Sequence, residues 1–284
     1  MDDLHVFPES PLLSIADAAE LEVLEGPCCL IPTHWQSSLT LISVLRGEFS
    51  GSIEQRPFQL SAGQCACVSP YALYSLHSMT GGSALLLRIP ISALSRVMPD
   101  EPARQFGWDA ATASPAARDA MAHIQHSLLQ LRNAVSSPSP FRTLRQTSLL
   151  LDIAYWLCES LSRPMDEADI RAVRNRQRLS PVIAYTDAHL CSEIALNDAA
   201  AALPMHPNAF CRFFRENTGM TYLNYVNEQR LAKVSADLLA TDTPLQDLLS
   251  AHGFTNYKLF RRLFSERFHT TPGQLRNALQ NAKD

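Results

Sequence analysis

Two periodicities divide the chain. Between Glu20 and Ile89 apolar and polar positions alternate in short runs, clearest at 39–45 (Leu-Thr-Leu-Ile-Ser-Val-Leu) and 83–89 (Ser-Ala-Leu-Leu-Leu-Arg-Ile), with Gly47, Gly63 and Gly81-Gly82 at turn positions. This pattern predicts several short strands and a small sandwich or barrel. From Ala116 onward the apolar positions fall three and four residues apart. Met121, Ile124, Leu128 and Leu131 form one stripe, Leu144, Leu151, Ile153, Leu157 and Leu161 another, and Ser136-Ser137-Pro138-Ser139-Pro140 breaks them. Two helices are predicted, 116–131 and 141–161, which either cover the barrel or turn a spare apolar face to a second subunit. Periodicity lapses over 162–169, so a linker is expected to run to about Gln177.

The last third of the chain repeats itself. Phe210-Cys211-Arg212-Phe213-Phe214-Arg215-Glu216 returns fifty residues later as Phe260-Arg261-Arg262-Leu263-Phe264-Ser265-Glu266, each followed in register by a threonine, Thr221 and Thr271. Self-similarity at a fixed offset marks a duplicated supersecondary unit. In the first copy a short helix over 196–203 leads through Pro204-Met205-His206 into a second helix opened by Pro207. Phe210, Phe213 and Phe214 are predicted to face inward, leaving Asn208, Cys211, Arg212 and Arg215 outside. In the second copy Thr243 is the predicted cap of a helix from Pro244, Gly253 supplies the turn, and Phe260, Leu263, Phe264 and Phe268 face inward. Tyr257, Lys258, Arg261 and Arg262 then share the outer face. Such side chains suit base edges and phosphates in a DNA major groove. Between the copies, 221–239 reads as one helix of about 27 Å, close to the ~34 Å between successive major-groove faces on one side of DNA.

Charge sharpens this picture. The 284 residues carry a formal net charge of −4, but from Arg174 to the end 13 Lys+Arg stand against 10 Asp+Glu, while residues 1–173 hold 11 against 18. The basic surplus lies with the duplicated units. No run of about 18 apolar residues occurs, and Asp2, Asp3 and His5 stand where a secretory signal would be basic and then apolar, so a cytoplasmic protein with no membrane partner is expected. The cysteines at 28, 29, 65, 67, 158, 191 and 211 lack paired spacing and read as small hydrophobes, with Cys65, Cys67 and Cys211 the ones to watch for redox or metal chemistry.

In the first half, Leu45-Arg46-Gly47-Glu48-Phe49, Leu60-Ser61-Ala62-Gly63-Gln64 and Val68-Ser69-Pro70 resemble the cupin-type jelly roll. Cupin enzymes commonly hold a metal on histidines and a glutamate. Here His34 is followed by Trp35-Gln36-Ser37-Ser38, without a second ligand at close spacing, so no metal and no cofactor are expected. His34, Trp35, Tyr74, His77 and Arg88 are the candidate contacts to a small molecule, Arg88 for an acid and Trp35 for a sugar.

Residues 180–276 resemble the DNA-binding domain of the AraC/XylS transcription regulators: Phe210-x-x-x-Phe214, Thr218-Gly219-Met220-Thr221, Tyr225, Arg230-Leu231, Leu238-Leu239, Gly253-Phe254, Phe260-x-x-x-Phe264 and Pro272-x-x-x-Arg276 fall in that family's order. The resemblance implies an α+β multidomain chain. Residues 1–115 would be a cupin-like effector-binding domain, 116–162 a helical dimerisation segment, 163–177 a linker, and 178–284 an all-α domain with helix-turn-helix units at about 196–217 and 244–268. It implies a sequence-specific DNA-binding regulator, an activator responding to a small molecule, with promoter DNA, RNA polymerase and a second copy of itself as partners. Asn208, Cys211, Arg212, Arg215, Tyr257, Lys258, Arg261 and Arg262 would touch the DNA. Leu249 stands where the family usually has alanine, His206 for a frequent serine and His269 for a frequent glycine. The competing readings are a metal-dependent cupin enzyme with a helical accessory domain and a protein-interaction module.

Overall fold

The computed structural model describes residues 13–26, 28–79, 81–98, 103–108 and 113–280. Helix α1 (Leu13–Ala18) precedes strands β1 (Glu20–Gly26), β2 (Cys29–His34), β3 (Ser38–Ile53), β4 (Arg56–Ser61), β5 (Cys65–Val68), β6 (Tyr74–Ser78) and β7 (Gly82–Pro90). The sheet runs β1-β7-β3-β6-β2, with β4 and β5 also pairing with β3. The long β3 makes this possible: its first half pairs with β7 and β5, its second with β4 and β6. Gly47 sits between the halves at φ 77°, where a β-carbon would collide with the Gly81 carbonyl oxygen. Only glycine allows the strand to bend so close to its neighbour.

Alternation then sorts the side chains. Ile42, Val44, Phe49, Leu76, Ala84 and Leu86 fill the concave interior of this half-barrel. Leu39, Leu41, Cys65, Cys67, Leu87 and Ile89 point the other way, into a second core shared with the helices. Cys65 and Cys67 are therefore buried, 4% and 3% exposed. Burial pushes both thiols up, Cys67 to about 12, which sets them against redox or metal chemistry. Cys191, not singled out by its sequence context, is the exposed one.

After α2 (Ile91–Val97) and the short β8 (Arg104–Phe106) come α3 (Pro115–Val135) and α4 (Arg142–Ser160). Ser114 caps α3 by accepting the Ala117 N–H, and Pro115 takes the first turn. Met121, Ile124, Leu128, Leu150, Ile153 and Leu157 bury against the sheet, so both helices cover the barrel. The outer side of α4 still carries Phe141 and Leu144, 70% and 68% exposed.

The stretch expected to be a linker is ordered. Strand β9 (Ser162–Pro164) pairs with β8, and α5 (Glu167–His189) starts at once. Its capping box is reciprocal: the Asp166 carboxylate accepts the Asp169 N–H at 2.9 Å and the Asp169 carboxylate accepts the Asp166 N–H at 3.0 Å. That box nucleates a helix where apolar periodicity is absent. Helices α6 (Leu196–Ala201), α7 (Pro207–Thr218), α8 (Tyr222–Ala240), α9 (Leu245–Ala251), α10 (Tyr257–Phe268) and α11 (Pro272–Gln280) complete the chain. No helix among the described residues is long and apolar enough to cross a membrane.

Candidate nucleic-acid interface

Each repeat folds as a short helix, a turn and a longer helix. In the first, Ala199 and Ala200 are buried and let α6 lie close to α7. Pro207 takes the first turn of α7 and His206 caps it, its ring Nδ1 accepting the Asn208 N–H at 3.3 Å. A histidine thus does the work of the family's frequent serine. Phe210 and Phe214 are fully buried, each with its ring centre 5.3 Å from that of Tyr222 in an edge-on arrangement. Phe213 packs against the edge of this core, half-buried, with the Arg178 guanidinium 4.9 Å from its ring centre.

In the second repeat Thr243 is not the cap. Pro244 holds that position, its carbonyl accepting the Leu248 N–H at 3.1 Å, and α9 starts at Leu245. Pro244 is itself extended, at ψ 140°, so the helix begins one residue later and Thr243 stands one position too early. Leu249 is accommodated in the core at 5% exposure beside Phe254 and Phe260. Asn256, not singled out in the sequence, caps α10 by accepting the Leu259 N–H at 3.0 Å. Phe260 and Phe264 are fully buried and Phe268 nearly so, while Leu263 is half-buried.

The two long helices end differently. Gly219 closes α7 at φ 76°, whereas His269 closes α10 at φ 51°. A left-handed cap strains any residue with a β-carbon. His269→Gly is expected to raise stability by about 1 kcal/mol in a urea titration, because the strain relieved exceeds the entropy added to the unfolded chain.

Two of the arginines that carry the resemblance are structural. Arg230 donates to the carbonyls of Leu190 and Ser192 at 2.8 and 2.5 Å, beyond the end of α5. Arg276 donates to those of Leu238 and Thr243 at 3.3 and 2.7 Å, at the end of α8. Each ties down the helix that leads into one repeat.

The outward faces match the sequence reading in geometry. Asn208, Arg212 and Arg215 are exposed on α7, whereas Cys211, expected among them, is half-buried and packs against the core of the unit. On α10, Tyr257, Lys258, Arg261 and Arg262 are all exposed. The Arg261 guanidinium lies 5.9 Å from the Tyr257 ring centre, and Arg262 stands 3.8 Å from Glu266. An exposed i,i+4 pair of that length is worth a few tenths of a kcal/mol and holds Arg262 loosely. Beside the α7 face lies a groove of about 730 Å³, walled by Leu196, Arg215, Thr221 and Leu223.

The five small-molecule candidates do not stay together. Tyr74 faces the barrel interior, where the His34 ring centre stands 4.3 Å from its own. Arg88 reaches the same mouth, paired with Glu22 at 2.7 Å. Burial drives the His34 ring below the usual histidine range. His77, three residues beyond Tyr74 on β6, faces the opposite side of the sheet. Burial, then the positive charge of Arg267 and of His269 nearby, lowers its pKa to about 4. His34 and His77 are therefore on opposite faces and cannot ligate one metal ion. Trp35 is also committed elsewhere, packed 6.3 Å from Tyr225 of α8 between ring centres.

Comparison with known proteins agrees with the helical repeats. The family model described as a helix-turn-helix domain matches residues 199–278. An HTH-type transcriptional regulator of Bacillus subtilis, YbfP, is 29% identical over 98 residues, 34% of this chain and 33% of its own length. The regulatory protein PocR of Salmonella typhimurium is 24% identical over 102 residues, 36% of this chain and 34% of its own. The chain thus spans about a third of the length of these relatives. ToxT from Vibrio cholerae matches across the whole architecture, covering 91% of this chain and 98% of its own at a TM-score of 0.51 and 9% identity, a likeness of fold alone.

Proposed function

We propose that this chain, whose residues 199–278 match a helix-turn-helix domain and resemble the AraC/XylS transcriptional regulators, reads promoter DNA with both units and that its barrel half conveys a small-molecule signal to them. The observation that carries the reading is the pair of exposed basic faces on α7 and α10, each backed by buried aromatic rings that hold the helix rigid. In this account Arg212 and Arg262, at equivalent places in the repeat, read guanine edges. Asn208, Cys211, Tyr257, Lys258 and Arg261 complete base and near-phosphate contacts, and Arg215 reaches the backbone.

The effector reading is narrower than the sequence suggested. With Trp35 and His77 turned toward the helical half, His34, Tyr74 and Arg88 remain at the barrel mouth. A carboxylate would compete with Glu22 for Arg88, so an acidic effector fits better than a sugar. Activation of RNA polymerase and pairing of two chains through the exposed side of α4 complete the proposal, supported by the resemblance to that family and by the apolar Phe141 and Leu144.

Salt titration of DNA binding tests it. Each phosphate neutralised should contribute a slope of about −0.9 to log K against log salt, so a footprint of several lysines and arginines predicts affinity falling at least tenfold between 50 and 200 mM salt, roughly what two such contacts would give. Salt-independent association, or none, would leave the protein-interaction reading in its place.

A further inference from the structure

Strand β2 and its flanks lie along α8, the helix that joins the two readers. At one end Trp35 joins the core of the first unit, against Tyr225. In the middle Thr33 donates its hydroxyl to Glu228 at 3.2 Å, and its carbonyl accepts from Gln229 at 2.8 Å. At the other end Cys28 and Leu30 enter the core of the second unit, with Leu231 and Val234.

A second contact fixes the first reader alone. The turn between β3 and β4 places Glu54 and Gln55 at φ 48° and 64°, a conformation that two-residue hairpins reserve for Asn-Gly. Two residues with β-carbons persist there only if something holds them. Arg176 of α5, 8% exposed, is that holder. Its guanidinium donates to both Glu54 carboxylate oxygens at 2.6 Å, to the Tyr71 carbonyl at 2.7 Å, and to the Asn217 carbonyl in the last turn of α7 at 3.3 Å. Beside it Gln55 covers Gly219 so closely that a β-carbon there would strike its amide. All these contacts meet the readers at their C-terminal ends or on α8. The outward residues of α7 and α10 remain exposed.

We infer that the amino-terminal domain is a splint across both readers, with β2 as its shaft and Arg176 as the positioning residue that locks α7 to the β3–β4 turn, so that this domain sets the separation and angle of the two units. None of these residues faces DNA, yet each sets which half-site spacing the protein accepts. The inference builds on the DNA-reading proposal for its consequence and not for its geometry.

The test measures the geometry without DNA. Spin labels on Glu216→Cys and Glu266→Cys, at equivalent exposed places in the repeat, are placed in the full chain with Cys158, Cys191 and Cys211 replaced by serine, and their separation is read by pulsed electron resonance. The parent should give one narrow distance. Glu54→Asn with Gln55→Gly supplies the preferred turn residues, so the hairpin folds, but removes the carboxylate that Arg176 holds. Trp35→Ser removes the far anchor. The distance distribution should at least double in width or shift in one or both variants. Distributions identical to the parent in both would overturn the splint. On duplexes with half-sites at graded spacing, the unlabelled chain with its natural cysteines should prefer one spacing at least tenfold, and the same two changes made in that chain should bring the preference below threefold. A flat profile for parent and variants alike, with the distance still broadened, would count against DNA reading and leave the splint standing.

Discussion

Phe264→Ala should cost about 3–5 kcal/mol and unfold the second reading unit under mild denaturant. The ring is fully buried, with Phe260 at 5.5 Å and Phe268 at 4.4 Å between ring centres, so truncation loses transfer energy and leaves a cavity among aromatic neighbours that cannot collapse into it. Domains of this kind are held by only about 5–15 kcal/mol in total. Arg261→Ala, three residues away on the exposed side of the same helix, should change stability by less than about 0.5 kcal/mol. Urea titrations of the two variants separate the roles of the two faces. Equal losses would mean that the outward face is structural.

Arg212→Ala combined with Arg262→Ala should have the largest effect on DNA binding. Each arginine that reads a guanine through two hydrogen bonds discriminates by about 1–3 kcal/mol, and the two stand on different helices without a shared partner, so the losses should add to about 2–6 kcal/mol. At the midpoint that is roughly a thousandfold in affinity. Fluorescence anisotropy at matched salt would check it, with the loss expected on the selected site and a much smaller one on unrelated duplex. A loss of the same size on every sequence would reassign both arginines to phosphates.

What the sequence revealed depended on how local the cause was. The aromatic stripes at 210–214 and 260–268, the opening proline at 207 and the turn glycine at 253 follow from periodicity and backbone preference within one repeat, and the structure places them as expected. Even there, periodicity gave no sign that Phe213 packs on the edge of that core, half-buried, with Arg178 of a different helix over its ring. The helix through the expected linker had a local sign, Asp166-x-x-Asp169, that apolar periodicity does not register. Cys65 and Cys67 flank Ala66, so strand alternation alone would have put both on one face.

The domain junction left no such trace. Nothing around Trp35 or His77 marks them as contacts to α8 and to the end of α10, because their partners lie some 190 residues away in the chain. In the sequence Arg176 is one more charge in what reads as a linker. Only the folded chain shows it buried, with three separate segments accepting its hydrogen bonds.

The central claim, that the two helices read one DNA site together, is met most directly by selecting bound duplexes from a random library with the full-length chain. Two conserved segments should emerge, centred about one helical turn, 10–10.5 base pairs, apart. A single conserved segment, or no enrichment over input, would contradict it.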